Sequence, residues 1–288
     1  MLIVLGGCLM DFREQEESQE RKAFRQIVRE WMEYHKPQIS SQPSGNGRLP
    51  ADTQAEVRKF RVALGKQGWI APTYPKEIGG GGLPPVPASI IQEEIRRLAV
   101  PFMGDNDRWI PAMMLWGTNE QRRKYLLPAL RGESITWQLF SEPQSGSDLA
   151  EVRTTAVETS DGYLINGQKA YITGRFDPDQ YWTLAVTSSD RPQKTNLGIF
   201  MIDASIPGVS TEPQRLLNWD HGNEQNVFLE NVLVPKNSLV GGLYQGWEIA
   251  QTILEGERGG FAFRMSDDGT MESIMEFLKE ERERNSAS

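Results

Sequence analysis

The hydrophobic period of this chain changes near Ile135. Before it, apolar residues recur at three- and four-residue spacing and so share one face of a helix. After it they alternate, and so share one face of a strand. The change predicts an α+β chain: helices first, then a small β-barrel or sandwich built from short strands.

The helical half reads element by element. Phe24, Ile27, Val28 and Trp31 give residues 14–35 an apolar face, ended at Pro37. Asp52 is the expected cap of a second helix with Val57, Phe60 and Leu64 inward, stopped at Gly68. The run Gly79–Gly82 invites comparison with a phosphate loop. It has neither a preceding strand nor a following Lys-Ser/Thr, so it is read as a turn between helices. Ile91, Ile95 and Leu98 mark a third helix, and Trp109–Trp116 a fourth. Thr118-Asn119-Glu120-Gln121 is a capping box that opens a helix through Leu130, ended at Gly132.

Beyond Ile135, strands are expected at Trp137–Phe140, over Val152, Thr154 and Ala156, and at 163–166, 181–187, 198–203 and 225–230. Asn166-Gly167 reads as a type I′ hairpin turn. Gly246-Trp247 opens a further helical stretch. The expected division is a tail at 1–10, a helical domain at 11–133, a β domain at 134–240, and the beginning of another helical domain at 241–288.

Composition removes several function classes. The net charge is −8 with no long basic block, which argues against nucleic-acid partners. A single cysteine, Cys8, permits no intrachain disulfide. Two histidines outside any Cys/His cluster argue against a zinc site. The apolar stretch Met1–Met10 is too short to span a bilayer and lacks the basic start of a secretion signal, so a cytoplasmic location is expected.

Two motifs carry chemistry. The strand at Trp137 runs into Ser141-Glu142-Pro143-Gln144-Ser145-Gly146-Ser147-Asp148, a small-residue loop able to offer backbone N–H groups and hydroxyls to an acceptor-rich ligand. Some twenty residues on comes Ile165-Asn166-Gly167-Gln168-Lys169-Ala170-Tyr171-Ile172-Thr173. Together, in this order, the two resemble the middle domain of the acyl-CoA dehydrogenase family. The segment 225–240 resembles the end of that domain, and Met10-Asp11-Phe12 resembles the usual family start. Members continue for about one further helical domain, so residues 241–288 are read as its incomplete beginning.

The resemblance implies an FAD-dependent α,β-dehydrogenation of an acyl-CoA thioester, in which a base takes the α-proton and flavin N5 takes the β-hydride. It implies that the backbone of Gln138, Leu139 and Ser141 lines the flavin. Gly146 and Ser147 approach the pyrophosphate, Tyr171 packs on the ring in place of the usual Trp, and Ile172 and Thr173 follow it. Ser147 and Arg258 are implied contacts of the substrate arm, and Glu257 the base, as in one branch of the family. Glu142 and Asp148 are read instead as loop braces that accept backbone N–H bonds. Implied partners are acyl-CoA, an electron-transferring flavoprotein or similar acceptor, and further subunits in a homo- or hetero-oligomer. Two other functions stay open: a non-catalytic partner subunit, and a flavin oxidase or monooxygenase on the same fold.

Overall fold

The computed structural model describes residues 3–5, 8–10, 17–39, 48–98, 100, 108–214 and 224–255. The apolar start holds two short strands, β1 (Ile3–Leu5) and β2 (Cys8–Met10), paired antiparallel with Leu5 opposite Cys8.

Helix α1 (Gln19–His35) starts at Ser18, whose hydroxyl accepts from the Arg21 N–H, and stops before Pro37. Its buried stripe is Val28 and Met32, flanked by Phe24 and Trp31. Ile27 is 62% exposed, so the expected face is rotated: 24, 28 and 31/32 share one side, and 27 falls about a quarter turn away. Helix α2 (Ala51–Lys66) buries Val57, Phe60 and Leu64 as expected. Its N-cap is Pro50 rather than Asp52, which sits inside the first turn and accepts from the Thr53 N–H at 2.7 Å.

The glycine loop spends its backbone donors on itself. The N–H groups of Gly79, Gly80, Gly81 and Gly82 bond to the carbonyls of Lys76, Pro75, Ala71 and Tyr74. A Cβ on Gly80 would lie 2.3 Å from the Tyr74 carbonyl oxygen. Close packing of backbone on backbone accounts for the glycine there, and no donor is left to cradle a phosphate.

Helix α3 (Pro85–Arg97) is fastened to α1 through Glu94, whose side chain is 2% exposed. It accepts from Arg29 Nη2 at 2.8 Å, Arg97 Nε at 2.7 Å and Arg25 Nη1 at 3.3 Å. Helix α4 (Trp109–Trp116) has the expected bounds. Thr118 and Gln121 form the expected capping box. The run it opens is α5 (Asn119–Gln121), a π turn at Arg122–Leu126, and α6 (Leu127–Leu130). Pro128 has no N–H for the carbonyl four residues back, which favours the wider turn there. Gln121 also reaches the sheet, donating to the carbonyls of Asn237 and Leu239 at 2.9 and 2.7 Å.

The sheet comprises β3 (Thr136–Leu139), β4 (Thr155–Glu158), β5 (Tyr163–Thr173), β6 (Gln180–Val186), β7 (Leu197–Asp203), β8 (Val209–Pro213), β9 (Glu224–Val234) and β10 (Leu239–Val240). Its order is β10-β7-β6-β4-β5-β9-β8, with β3 lying parallel to β6. One face encloses a core of Trp137, Leu139, Ile165, Phe200, Val227 and Val234. The other packs Phe140, Trp182 and Ile199 on Trp109 and Met113 of α4 and on Ile249 and Ile253 of α7 (Gly246–Glu255).

Asn166-Gly167 is not a turn. It lies inside the eleven-residue strand β5, which pairs with β9 along its length. The Asn166 side chain instead accepts from the Asn231 N–H across a bulge of β9, at 2.8 Å. Gly167 is required because a Cβ there would lie 2.7 Å from the Thr154 Cα. Close approach of Thr154, the residue before β4, and not turn geometry, explains the glycine.

Candidate functional site

The two motifs meet in space. Strand β3 ends at Leu139, and the loop that follows folds back so that the Ser141 carbonyl accepts from the Ala170 N–H of β5 at 3.0 Å. Glu142 and Ser145 exchange backbone bonds at 2.6 and 3.0 Å, and the Ser145 hydroxyl donates to the Asp148 carbonyl at 2.7 Å. The loop is therefore a closed turn with Pro143, Gln144, Gly146, Ser147 and Asp148 outward.

Beneath it lies a buried ion pair. Lys169 Nζ is 2.8 Å from Glu142 Oε1, with the two side chains 0% and 2% exposed. The same ammonium donates to the carbonyls of Phe140 at 3.2 Å and Leu184 at 2.7 Å. Its three protons are thus all used. Glu142 Oε2 accepts from the Arg153 N–H at 2.7 Å and Gln144 Nε2 at 2.7 Å, and Oε1 from the Thr154 N–H at 3.0 Å. Burial pushes the Lys169 ammonium below its ordinary pKa, against the pull of Glu142. Burial also opposes the Glu142 charge, but Lys169 and the N–H donors outweigh it and hold the carboxyl low. Glu142 is a brace and no proton acceptor. Asp148 braces the loop through its carbonyl.

Sequence reasoning assigned no role to Lys169. The signal was present: in the two-residue period of β5, Lys169 falls on the inward series Tyr163, Ile165, Gly167. A lysine on that series must bury its charge and so must find a partner.

The remaining residues sort by exposure. Tyr171 is 57% exposed, at φ 59°, where β5 bulges against β9 between Lys169 and Ile172. Thr173, two residues on, faces out on the same side and its hydroxyl bonds the Glu224 carboxylate at 3.2 Å. Ser141 and Gln138 are half-buried, while Gly146 and Ser147 are exposed. Leu139 and Ile172 point into the sheet core, so only their backbone can meet a ligand. Gln138 Oε1 is buried and has no partner among the described residues. The strip Gln138–Ser141, Gly146–Ser147 and Tyr171–Thr173 is therefore contiguous through the Ser141–Ala170 bond. Glu257 and Arg258 lie outside the described residues.

Two family models match, the acyl-CoA dehydrogenase N-terminal domain over residues 18–133 and the acyl-CoA dehydrogenase middle domain over 138–232. The chain belongs to the acyl-CoA dehydrogenase family. Among curated relatives it is similar to acyl-CoA dehydrogenase FadE34 of Mycobacterium tuberculosis, 32% identical over 84% of this chain and 33% of that one. Acyl-CoA dehydrogenase FadE29 of the same organism is 31% identical over 81% of this chain and 60% of that one. The chain thus spans between a third and three-fifths of these relatives' lengths. Among solved structures, the Tcur3481-Tcur3483 steroid ACAD is 26% identical with a TM-score of 0.72, over 94% of this chain and 69% of that one. In this acyl-CoA dehydrogenase family chain, no described helix is long and apolar enough to cross a membrane.

Proposed function

We propose that this chain supplies the flavin and thioester side of an acyl-CoA dehydrogenase active site, with FAD as cofactor and acyl-CoA as substrate. The observation that carries the reading is the strip on which the two motifs are fastened together with their polar and aromatic groups outward. The residues present fit a flavin. Gln138 Oε1 is a buried acceptor lacking a protein donor among the described residues, the kind of group a ligand N–H satisfies. A Cβ on Gly146 would meet nothing within 4 Å, so the loop leaves room above itself. Tyr171 presents an exposed ring at a bulge, a position suited to lie against a planar heterocycle.

FAD, when bound, supplies the redox chemistry by accepting the hydride from the substrate β-carbon. The chain's own residues do the rest. The backbone of Gln138, Leu139 and Ser141, with Tyr171, Ile172 and Thr173, would hold and orient the ring. Gly146 and Ser147 would hold the phosphate end, and Ser147 with Arg258 the substrate arm. Glu257 would take the α-proton. In this reading residues 11–133, 134–240 and 241–288 are separate structural parts. The setting is the cytoplasm, and the electron acceptor is an electron-transferring flavoprotein or similar protein. A bulky, steroid-type acyl group is the proposed substrate class, supported by the likeness to the steroid ACAD.

A second reading is supported by the paired name of that same neighbour: the chain acts as one subunit of a hetero-oligomer, completing a site with a different family chain. The absorption spectrum of the purified chain after mixing with FAD and gel filtration tests both. Retained flavin supports the first reading, and flavin retained only with a partner supports the second. No retained flavin under either condition contradicts both. Slow reoxidation of the reduced flavin by oxygen distinguishes a dehydrogenase from an oxidase.

A further inference from the structure

The buried ion pair is placed where it governs the spacing of the candidate flavin contacts. Lys169 Nζ touches the carbonyl of Phe140 and the carboxylate of Glu142, the residues on either side of Ser141. The next residue after Lys169, Ala170, donates its N–H to Ser141 itself at 3.0 Å, and the residue after that is Tyr171. Leu184 O, the third acceptor of Lys169, belongs to β6, the strand that runs parallel to β3. One ammonium therefore joins the end of β3, the loop, β5 and β6 at a single buried point. The left-handed residue Tyr171 lies immediately beyond that point, where a non-glycine residue keeps such a conformation only if its surroundings hold it.

We propose that the Lys169–Glu142 pair is a positioning device that sets the separation of Ser141 and Tyr171, and so the seat of the flavin ring; this rests on the flavin reading above. Lys169 touches no reacting atom in this account. Its three donors are spent on Glu142, Phe140 and Leu184, and its role is to hold the two motifs at one spacing.

The two charges can be removed together without leaving either of them bare. An apolar pair of similar volume often replaces a buried ion pair without loss of stability, whereas removing one partner leaves a bare buried charge. The double variant Lys169→Met/Glu142→Gln removes both charges and keeps an amide oxygen that can accept from the Arg153 or Thr154 N–H, so the chain is left able to fold. It separates positioning from stability.

The experiment compares the full-length wild type, Lys169→Met and the double variant by three readouts. These are thermal midpoint, amide hydrogen exchange over residues 138–148 and 166–173 without flavin, and FAD affinity with visible circular dichroism of the bound flavin. The expected result is a folded double variant whose midpoint falls less than that of Lys169→Met. Its two peptides exchange at least tenfold faster, its FAD affinity falls at least tenfold, and its flavin dichroism is altered. Wild-type exchange and affinity in the folded double variant overturn the inference while leaving the flavin reading intact. A double variant that loses protection throughout the chain also overturns it, since the pair is then only structural. Wild type that takes up no FAD, alone or with a partner chain, overturns the flavin reading and this inference with it.

Discussion

Lys169 Nζ and Glu142 Oε1 lie 2.8 Å apart at a depth where neither side chain meets solvent, and they come from the two motifs the sequence singles out. The contact fastens the loop to a distant strand. It also makes a stability statement. Removing one partner leaves the other ionised and buried, so Lys169→Met alone is expected to lose ~3–5 kcal/mol. Urea unfolding of the variant beside wild type measures it; a loss under ~1 kcal/mol would mean the pair is solvated like a surface bridge.

The α1–α3 contact is predicted to be acid-sensitive. Hydrogen bonds from Arg29, and then from Arg97 and Arg25, hold the Glu94 carboxyl down to about 2 despite its burial. The folded pKa is lowered, so the stabilisation is fully present above the ordinary carboxylate value and is lost as pH falls from about 4.5 towards 2. Glu94→Gln should lower the thermal midpoint at neutral pH, by a loss of ~2 kcal/mol, and flatten its fall between those pH values. An identical pH profile in the variant would show that another carboxylate controls acid unfolding.

Glycines are predicted to divide by what surrounds them. Gly80→Ala drives a methyl into the Tyr74 carbonyl and should lose ~1–3 kcal/mol. Gly146→Ala meets nothing within 4 Å and should leave folding stability within ~0.5 kcal/mol. If the loop holds the cofactor, Gly146→Ala weakens FAD uptake without a change in midpoint. Chemical denaturation and flavin titration of the two variants separate the cases.

Much of this fold is legible in sequence because local signals and packing agree. The bounds of α4 follow from an uninterrupted apolar run, and the Thr118–Gln121 box from a spacing that only a helix start satisfies. Reading fails where a residue serves a distant strand. Asn166-Gly167 has turn chemistry, yet its glycine makes room for Thr154 and its asparagine caps a bulge at Asn231. Strand β8 (Val209–Pro213) buries no full face, so no alternation announces it. Ile27 has the right spacing for the core and faces out, because α3 approaches from the side of Val28 and Met32. In the site, exposed polar residues are legible as a motif, whereas the side chain that joins the motifs, Lys169, is legible only through its inward parity.

Capping should be separable from the site. Thr118→Ala removes the acceptor for the Gln121 N–H, a bond of 3.1 Å, and is expected to lose ~1 kcal/mol. Because Gln121 also ties the helix to Asn237 and Leu239, Gln121→Ala should lose more than Thr118→Ala. Equal losses in thermal unfolding would assign the whole effect to the helix start.

The central claim is that this chain presents a flavin edge from which an acyl-CoA thioester is dehydrogenated with Glu257 as base. The most direct measurement is anaerobic mixing of the FAD-loaded protein, with a partner chain if loading requires one, with a bulky acyl-CoA while the flavin absorbance is followed. Wild type is predicted to bleach. Glu257→Gln, which keeps shape and removes basicity, is predicted to retain its FAD and bleach at least a hundredfold more slowly, in line with the loss of a general base. Bleaching of the variant at the wild-type rate would move the base elsewhere, and a wild type that holds FAD yet never bleaches with any acyl-CoA would contradict the account.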